Sequence, residues 1–224
     1  MPDGQYSFYL HSDDYTDIAA MATINTISQP LRGDFIRTVT TAGAVVYQTD
    51  TRLPALIPVF FDGQLSARRL YALMALVAGR WSSLSGLADE PDAGVTARAM
   101  SPEAESRRRR YTLALQDDRS SERVESLLSG VSSRLRGELL RNLIITGLAL
   151  HTMAPELPRL LASMPVPPAS VSELQVLVQQ MAGSGMTGAG TAAVIPEKPV
   201  SSVTPSTDTQ TAGIKKNMRR AFGE

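Results

Sequence analysis

The apolar residues between Asp117 and His151 constrain the fold of this chain more than any other stretch. Val124, Leu127, Leu128, Val131, Leu135, Leu139, Leu143 and Ile144 recur at spacings of mostly three and four, the period of one buried helical face. A single helix over that range is roughly 50 Å long at about 1.5 Å per residue. Pro155 and Pro158 end it, because a proline ring cannot continue a helix. Such a face needs other helices to cover it, and the rest of the sequence supplies them.

Ser12, Asp13 and Asp14 cap a helix whose face carries Tyr15, Ile18, Met21 and Ile24, and Gln29-Pro30 stops it. A second helix runs from about Gly33 to Tyr47, with Phe35, Val39, Ala42 and Val46 on one side. After Arg52-Leu53-Pro54, the run Leu56 to Phe61 is β-branched and aromatic, and its prolines confine it to a short edge strand. A third helix spans roughly Gln64 to Trp81, with Leu70, Leu73, Met74, Val77 and Trp81 as its buried stripe. A last helix carries Val171, Leu174, Val178 and Met181. No internal repeat is read along the chain. The sum is an all-α antiparallel four-helix bundle over residues 1–182, with a minor short β element and a disordered C-terminal tail.

Two segments fall outside this pattern. Residues 82–110 form a long polar loop, of a length that compact domains keep for function or flexibility. Residues 183–213 are dominated by Gly, Ser, Thr and Pro and read as a linker unable to offset its chain entropy. The final stretch 214–224 is basic, with Ile214, Met218 and Phe222 four apart. That spacing puts them on one helical face, where a partner could dock.

Composition narrows the chemistry. The 224 residues include no Cys and 2 His, and 22 Lys+Arg balance 22 Asp+Glu. There is no thiolate site, no cysteine nucleophile and little for a histidine metal centre. The two histidines are His11 and His151, and His151 reads as a helix-end or core residue. No nucleophile elbow, phosphate-binding loop or zinc motif is present, so an enzyme is not expected. The acidic start MPDGQYSFYLHSDDY does not resemble an export signal, and Leu139–Met153 holds Arg141, Asn142 and His151, which suits a buried helix better than a membrane span. These features lead to the expectation of a soluble, intracellular protein with no membrane contact.

The salient motif is Arg107-Arg108-Arg109-Arg110-Tyr111. Four guanidinium groups in a chain of zero net charge concentrate positive potential, and guanidinium binds phosphate in a bidentate fashion. Tyr111 adds a stacking face of the kind that single strands use. Arg119 and Arg123 follow on one helical face. Acids cluster at Asp89, Glu90 and Asp92, and again at Glu103 and Glu105. Held together they are solvated loop acids or a Ca²⁺- and pH-sensitive cluster.

Three stretches resemble one family. Arg52-Leu53-Pro54 before Val59-Phe60-Phe61, the run Leu70 to Arg80, and Ser85-Gly86-Leu87-Ala88-Asp89 with Val95 and Arg98 are similar to the coat proteins of rod-shaped plant RNA viruses, of tobacco mosaic virus and benyvirus type. The resemblance implies a capsid subunit that self-assembles with copies of itself around single-stranded RNA, in the virion and the host cytoplasm. Arg80 carries over by position as an RNA contact, and Arg107, Arg108, Arg109 and Arg110 by location, as do Glu103 and Glu105 as carboxylates between subunits. Ca²⁺ at those carboxylates is the one cofactor implied. The competing reading is a helical adaptor of a bacterial secretion, conjugation or phage assembly system, docking a partner through 214–224.

Overall fold

The computed structural model describes residues 4–80 and 107–184. Strand β1 (Gln5–His11) leads into helices α1 (Tyr15–Thr26), α2 (Arg32–Thr49), α3 (Leu53–Phe60) and α4 (Ala67–Val77). Strand β2 (Arg108–Ala114) leads into α5 (Arg119–Ser129), α6 (Ser133–Met153), α7 (Glu156–Ser163) and α8 (Val171–Ser184). The helical majority is as expected. The organisation is different: one strand and four helices occur twice, and the two strands pair with each other.

The second half repeats the first, 104 positions on in the helices and 103 in the strands, the difference being one residue between strand and first helix. Asp14 caps α1 by accepting from the Asp17 N–H, and Asp118 caps α5 by accepting from the Ser121 N–H. The Arg32 Nε donates to the Ile27 carbonyl at 2.8 Å, and the Arg136 Nε to the Val131 carbonyl at 3.0 Å. Ser66 accepts from the Arg69 N–H and Ser170 from the Glu173 N–H, both at 3.2 Å. The reading without a repeat is therefore corrected. The duplication is visible in sequence as Leu31-Arg32-Gly33, Arg37 and Gly43 against Leu135-Arg136-Gly137, Arg141 and Gly147. Between those landmarks the residues match only in kind.

The strands form an antiparallel two-stranded ribbon, with Phe8 opposite Tyr111. Both ends close alike: the Ser12 N–H donates to the Arg107 carbonyl, and the Leu115 N–H to the Gly4 carbonyl. Phe8, Leu10, Tyr111 and Leu113 point inward, and the Phe8 and Tyr111 rings stack at 5.3 Å. This period-two burial makes the segments strands. Beneath the ribbon, α2 and α6 cross in the core. Their backbones meet at two glycines: a Cβ on Gly43 would collide with the Leu143 carbonyl, and one on Gly147 with the Val39 carbonyl.

Each half also braces the other through an arginine. Arg141 on α6 donates through Nε to Asp17 at 2.6 Å and through Nη2 to Asp14 at 2.9 Å. Asp17 is buried and also accepts from the His11 N–H at the end of β1. Burial pushes its carboxyl above the ordinary carboxylate range, against the pull of the His11 N–H and Arg141. The corresponding Arg37 on α2 donates through Nε to the Ala114 carbonyl of β2 at 3.0 Å.

Three further expectations change. The stretch from Leu56 to Phe61, expected as an edge strand, belongs to helix α3 up to Phe60. Pro54 sits in the first turn, where no acceptor awaits its missing N–H, and Leu53 and Ile57 bury their side chains one turn apart. Its counterpart α7 carries Pro158 at the matching place. The single helix from Asp117 to His151 is two, α5 and α6, divided at Gly130-Val131-Ser132. The proposed stripe fails at Leu135, which is 51% exposed. On α1, Ile24 is buried as expected, but Tyr15 and Ile18 are exposed because the helix turns Asp17 and Ala20 to the core. Trp81 and residues 82–106 lie outside the described residues.

Gly43→Ala or Gly147→Ala is expected to cost about 3 kcal/mol of unfolding free energy, because backbone must move. Gly137→Ala on α6, where a Cβ meets nothing within 4 Å, is expected to gain about 0.5–1 kcal/mol; denaturant midpoints of the three variants decide it. Arg141→Ala leaves a buried carboxylate without its cation, an expected loss of about 3 kcal/mol at pH 7. The raised Asp17 pKa sets the sign: the loss shrinks as pH falls through it, because the protonated acid tolerates burial. Thermal unfolding at pH 7 and at acid pH measures that difference.

Candidate nucleic-acid interface

One face of the ribbon is built into the core, so alternation turns the other outward. From β2 the outward positions carry Arg108, Arg110 and Thr112, and from β1 they carry Gln5, Ser7 and Tyr9. The Arg110 Nε and Nη2 donate to the Ser7 hydroxyl at 3.0 and 2.8 Å. The Arg108 guanidinium lies 5.0 Å from the centre of the Tyr9 ring, close enough for cation–π attraction. These contacts hold the arginines flat over the ribbon while leaving both residues exposed. Arg109 has inward parity but stands at the ribbon end, its guanidinium 5.3 Å from the Tyr111 ring centre.

The arginine run is therefore part of a strand, not of a loop as expected. Tyr111 is also corrected. It is 9% exposed, stacked on Phe8 and turned to the core, so it cannot offer a stacking face. Its hydroxyl is buried with no hydrogen-bond partner, and burial raises its pKa against the pull of Arg109 and Arg32. The exposed ring is Tyr9, which sequence reasoning passed over together with Gln5, Ser7 and Thr112. The alternation Tyr6-Ser7-Phe8-Tyr9-Leu10 and Tyr111-Thr112-Leu113 is the signal that would have found them.

The other arginines do not share this surface. Arg80 follows α4 and donates through Nη2 to Gln175 of α8 at 2.8 Å. Arg119 opens α5, and Arg123 one turn later is partly buried in the place Ala19 takes in the first half. Burial, with Arg119 second, lowers the Arg123 pKa, and its Nη1 has no hydrogen-bond partner. The acids Asp89, Glu90, Asp92, Glu103 and Glu105 lie outside the described residues, as does everything from residue 185 on. His151 meets the Phe35 ring edge-on at 4.9 Å, and burial lowers its pKa.

No curated protein and no solved structure matches the chain. A family model described as plasmid stability protein matches residues 4–74 and 109–178, stretches that coincide with the two halves of the duplication. This match overturns the coat-protein resemblance, and with it the capsid role and the virion location. Arg52-Leu53-Pro54, which carried that resemblance, opens a helix rather than preceding a strand. A plasmid role stands closer to the bacterial adaptor reading than to a coat. With more than half of its residues matched, the chain belongs to the plasmid stability protein family.

Proposed function

We propose that this chain serves plasmid maintenance by binding duplex DNA, with the outer face of the β1–β2 ribbon set into the major groove. The observation that supports this reading most is the ribbon itself: Arg108 and Arg110, steadied by Tyr9 and Ser7, on a two-stranded element with its other face anchored in a helical core. A major groove about 12 Å wide admits a two-stranded ribbon. Arginine pairs with the guanine edge there, and Gln, Ser and Thr reach other base edges. The charge is local in a chain of zero net charge, which favours a defined footprint over general adhesion to polyanions.

Arg110→Ala is expected to weaken duplex binding by roughly 5- to 150-fold, from about 1–3 kcal/mol for one base-reading arginine. Arg108→Ala is expected to act similarly, and Arg80→Ala to leave affinity unchanged. Fluorescence anisotropy on duplexes tiled across the replicon that carries the gene measures this. Affinity should fall steeply with salt through counterion release. Equal binding by the ribbon variants, or tighter binding to single-stranded RNA of the same length, would contradict the reading.

Tyr111→Phe removes a buried hydroxyl that has no partner and installs the ring that Phe8 already presents across the ribbon. It is expected to keep DNA affinity and to raise stability by up to about 1 kcal/mol, read as a melting-temperature shift.

The adaptor reading keeps one separable element, the basic stretch with Ile214, Met218 and Phe222. A chain ending after Ser184 retains both halves, so it is expected to bind DNA as the full chain does while losing a tail-docked partner. Pull-down and anisotropy on the two lengths separate these roles.

A further inference from the structure

A ribbon made by two copies of one strand has identical halves, and the DNA it reads mirrors that two-fold symmetry as a palindrome. Here the strands belong to one chain, and the pseudo-two-fold axis passes through the Phe8–Tyr111 pair. The buried residues related by that axis agree, Phe8 with Tyr111 and Leu10 with Leu113; at the third inward position half-buried Tyr6 corresponds to exposed Arg109 at the ribbon end. On the outer face the related residues do not agree. Gln5 corresponds to Arg108, Ser7 to Arg110 and Tyr9 to Thr112.

Antiparallel pairing sorts these differences by position along the ribbon. Arg110 stands opposite Tyr9, and Arg108 opposite His11, so one end is cationic and aromatic. Ser7 stands opposite Thr112 and Gln5 opposite Ala114, so the other end has only small and neutral side chains of its own, with the Arg110 guanidinium reaching as far as Ser7. Arg108 and Arg110 are two residues apart on one strand, about 6.8 Å. That matches two base-pair steps of about 3.4 Å each.

We propose that a single chain reads a non-palindromic duplex site, with a guanine-bearing half under the Arg108–Arg110 end of the ribbon and a half without guanine preference under the Gln5–Ser7 end. This inference rests on the duplex-DNA reading above and goes beyond it in assigning direction and half-site identity. The core needs both strands to be alike only where they are buried. The outer positions are free of that constraint, and their divergence makes orientation on DNA definite.

The test is selection of binding sites from a random duplex library by the full chain, repeated with Arg110→Ala and with the double variant Gln5→Arg/Ser7→Arg. The expected motif is asymmetric, with guanines concentrated in one half. Arg110→Ala is expected to erase the preference in that half alone and to lower affinity for the selected site by roughly 10-fold or more. The double variant, which puts arginine at both ends, is expected to move the motif toward a palindrome. All the altered side chains lie on the outer face, and circular dichroism melting verifies that the variants fold. A palindromic motif from the unaltered chain, or equal loss in both halves with Arg110→Ala, would overturn the asymmetry while leaving DNA binding intact. Absence of any duplex binding would overturn the underlying reading as well.

Discussion

A strand that lays one face on a core still carries an edge of unpaired N–H and C=O groups, and β1 satisfies its edge by pairing with β2. A two-stranded ribbon is marginal alone and needs packing against helices to persist. The pairing brings together segments far apart in sequence, so neither half of the duplication can complete its ribbon without the other. The remaining structure follows from this demand. The core face alternates Phe8, Leu10, Tyr111 and Leu113, α2 and α6 cross beneath it, and the glycines at 43 and 147 let those two helices approach backbone to backbone. Arg37 then ties the first half to the end of β2, and Arg141 ties the second half to Asp17, which holds the end of β1.

Duplication within one chain changes what the surface can do. Buried side chains of the inner face are held to their repeat partners in kind by packing. Those on the outer face answer only to solvent and to whatever binds there. The two braces show how far divergence has gone even near the core: Arg141 meets the carboxylate of Asp17, whereas the place of Asp17 in the second half is taken by Ser121, which accepts from the Gln116 N–H. On the ribbon, divergence has gathered the exposed guanidinium groups onto β2.

Long-period patterns were legible in the sequence, and short ones were not. Helices α2, α4 and α8 follow from Val39, Val46, Leu70, Met74, Leu174 and Val178, which recur at helical spacing and are buried. The strands are seven residues each, so at most three inward positions mark each of them, and on β2 the arginine run that leads into it hides the alternation behind charge. The prolines of α3 pointed away from a helix although Pro54 occupies the one turn where a missing donor is harmless. The repeat is faint in the sequence because packing holds volume and polarity rather than identity, leaving Gly43 with Gly147 and Arg37 with Arg141 among the few literal matches. The arginine run was found, but its chemistry depended on the strand: alternation sends Arg108 and Arg110 outward and Tyr111 inward.

Pairing of β1 with β2 inside one molecule is the central claim, and a chain without cysteine allows it to be tested cleanly. Ser7 and Thr112 stand directly opposite in the ribbon, at the Cα separation of about 4.5–5.5 Å that suits a disulfide. The variant Ser7→Cys/Thr112→Cys should oxidise at low protein concentration to a species that runs as a single cross-linked chain on a non-reducing denaturing gel. Covalent dimers as the main product, formed in proportion to concentration, would mean that the strands pair between chains and would contradict the account.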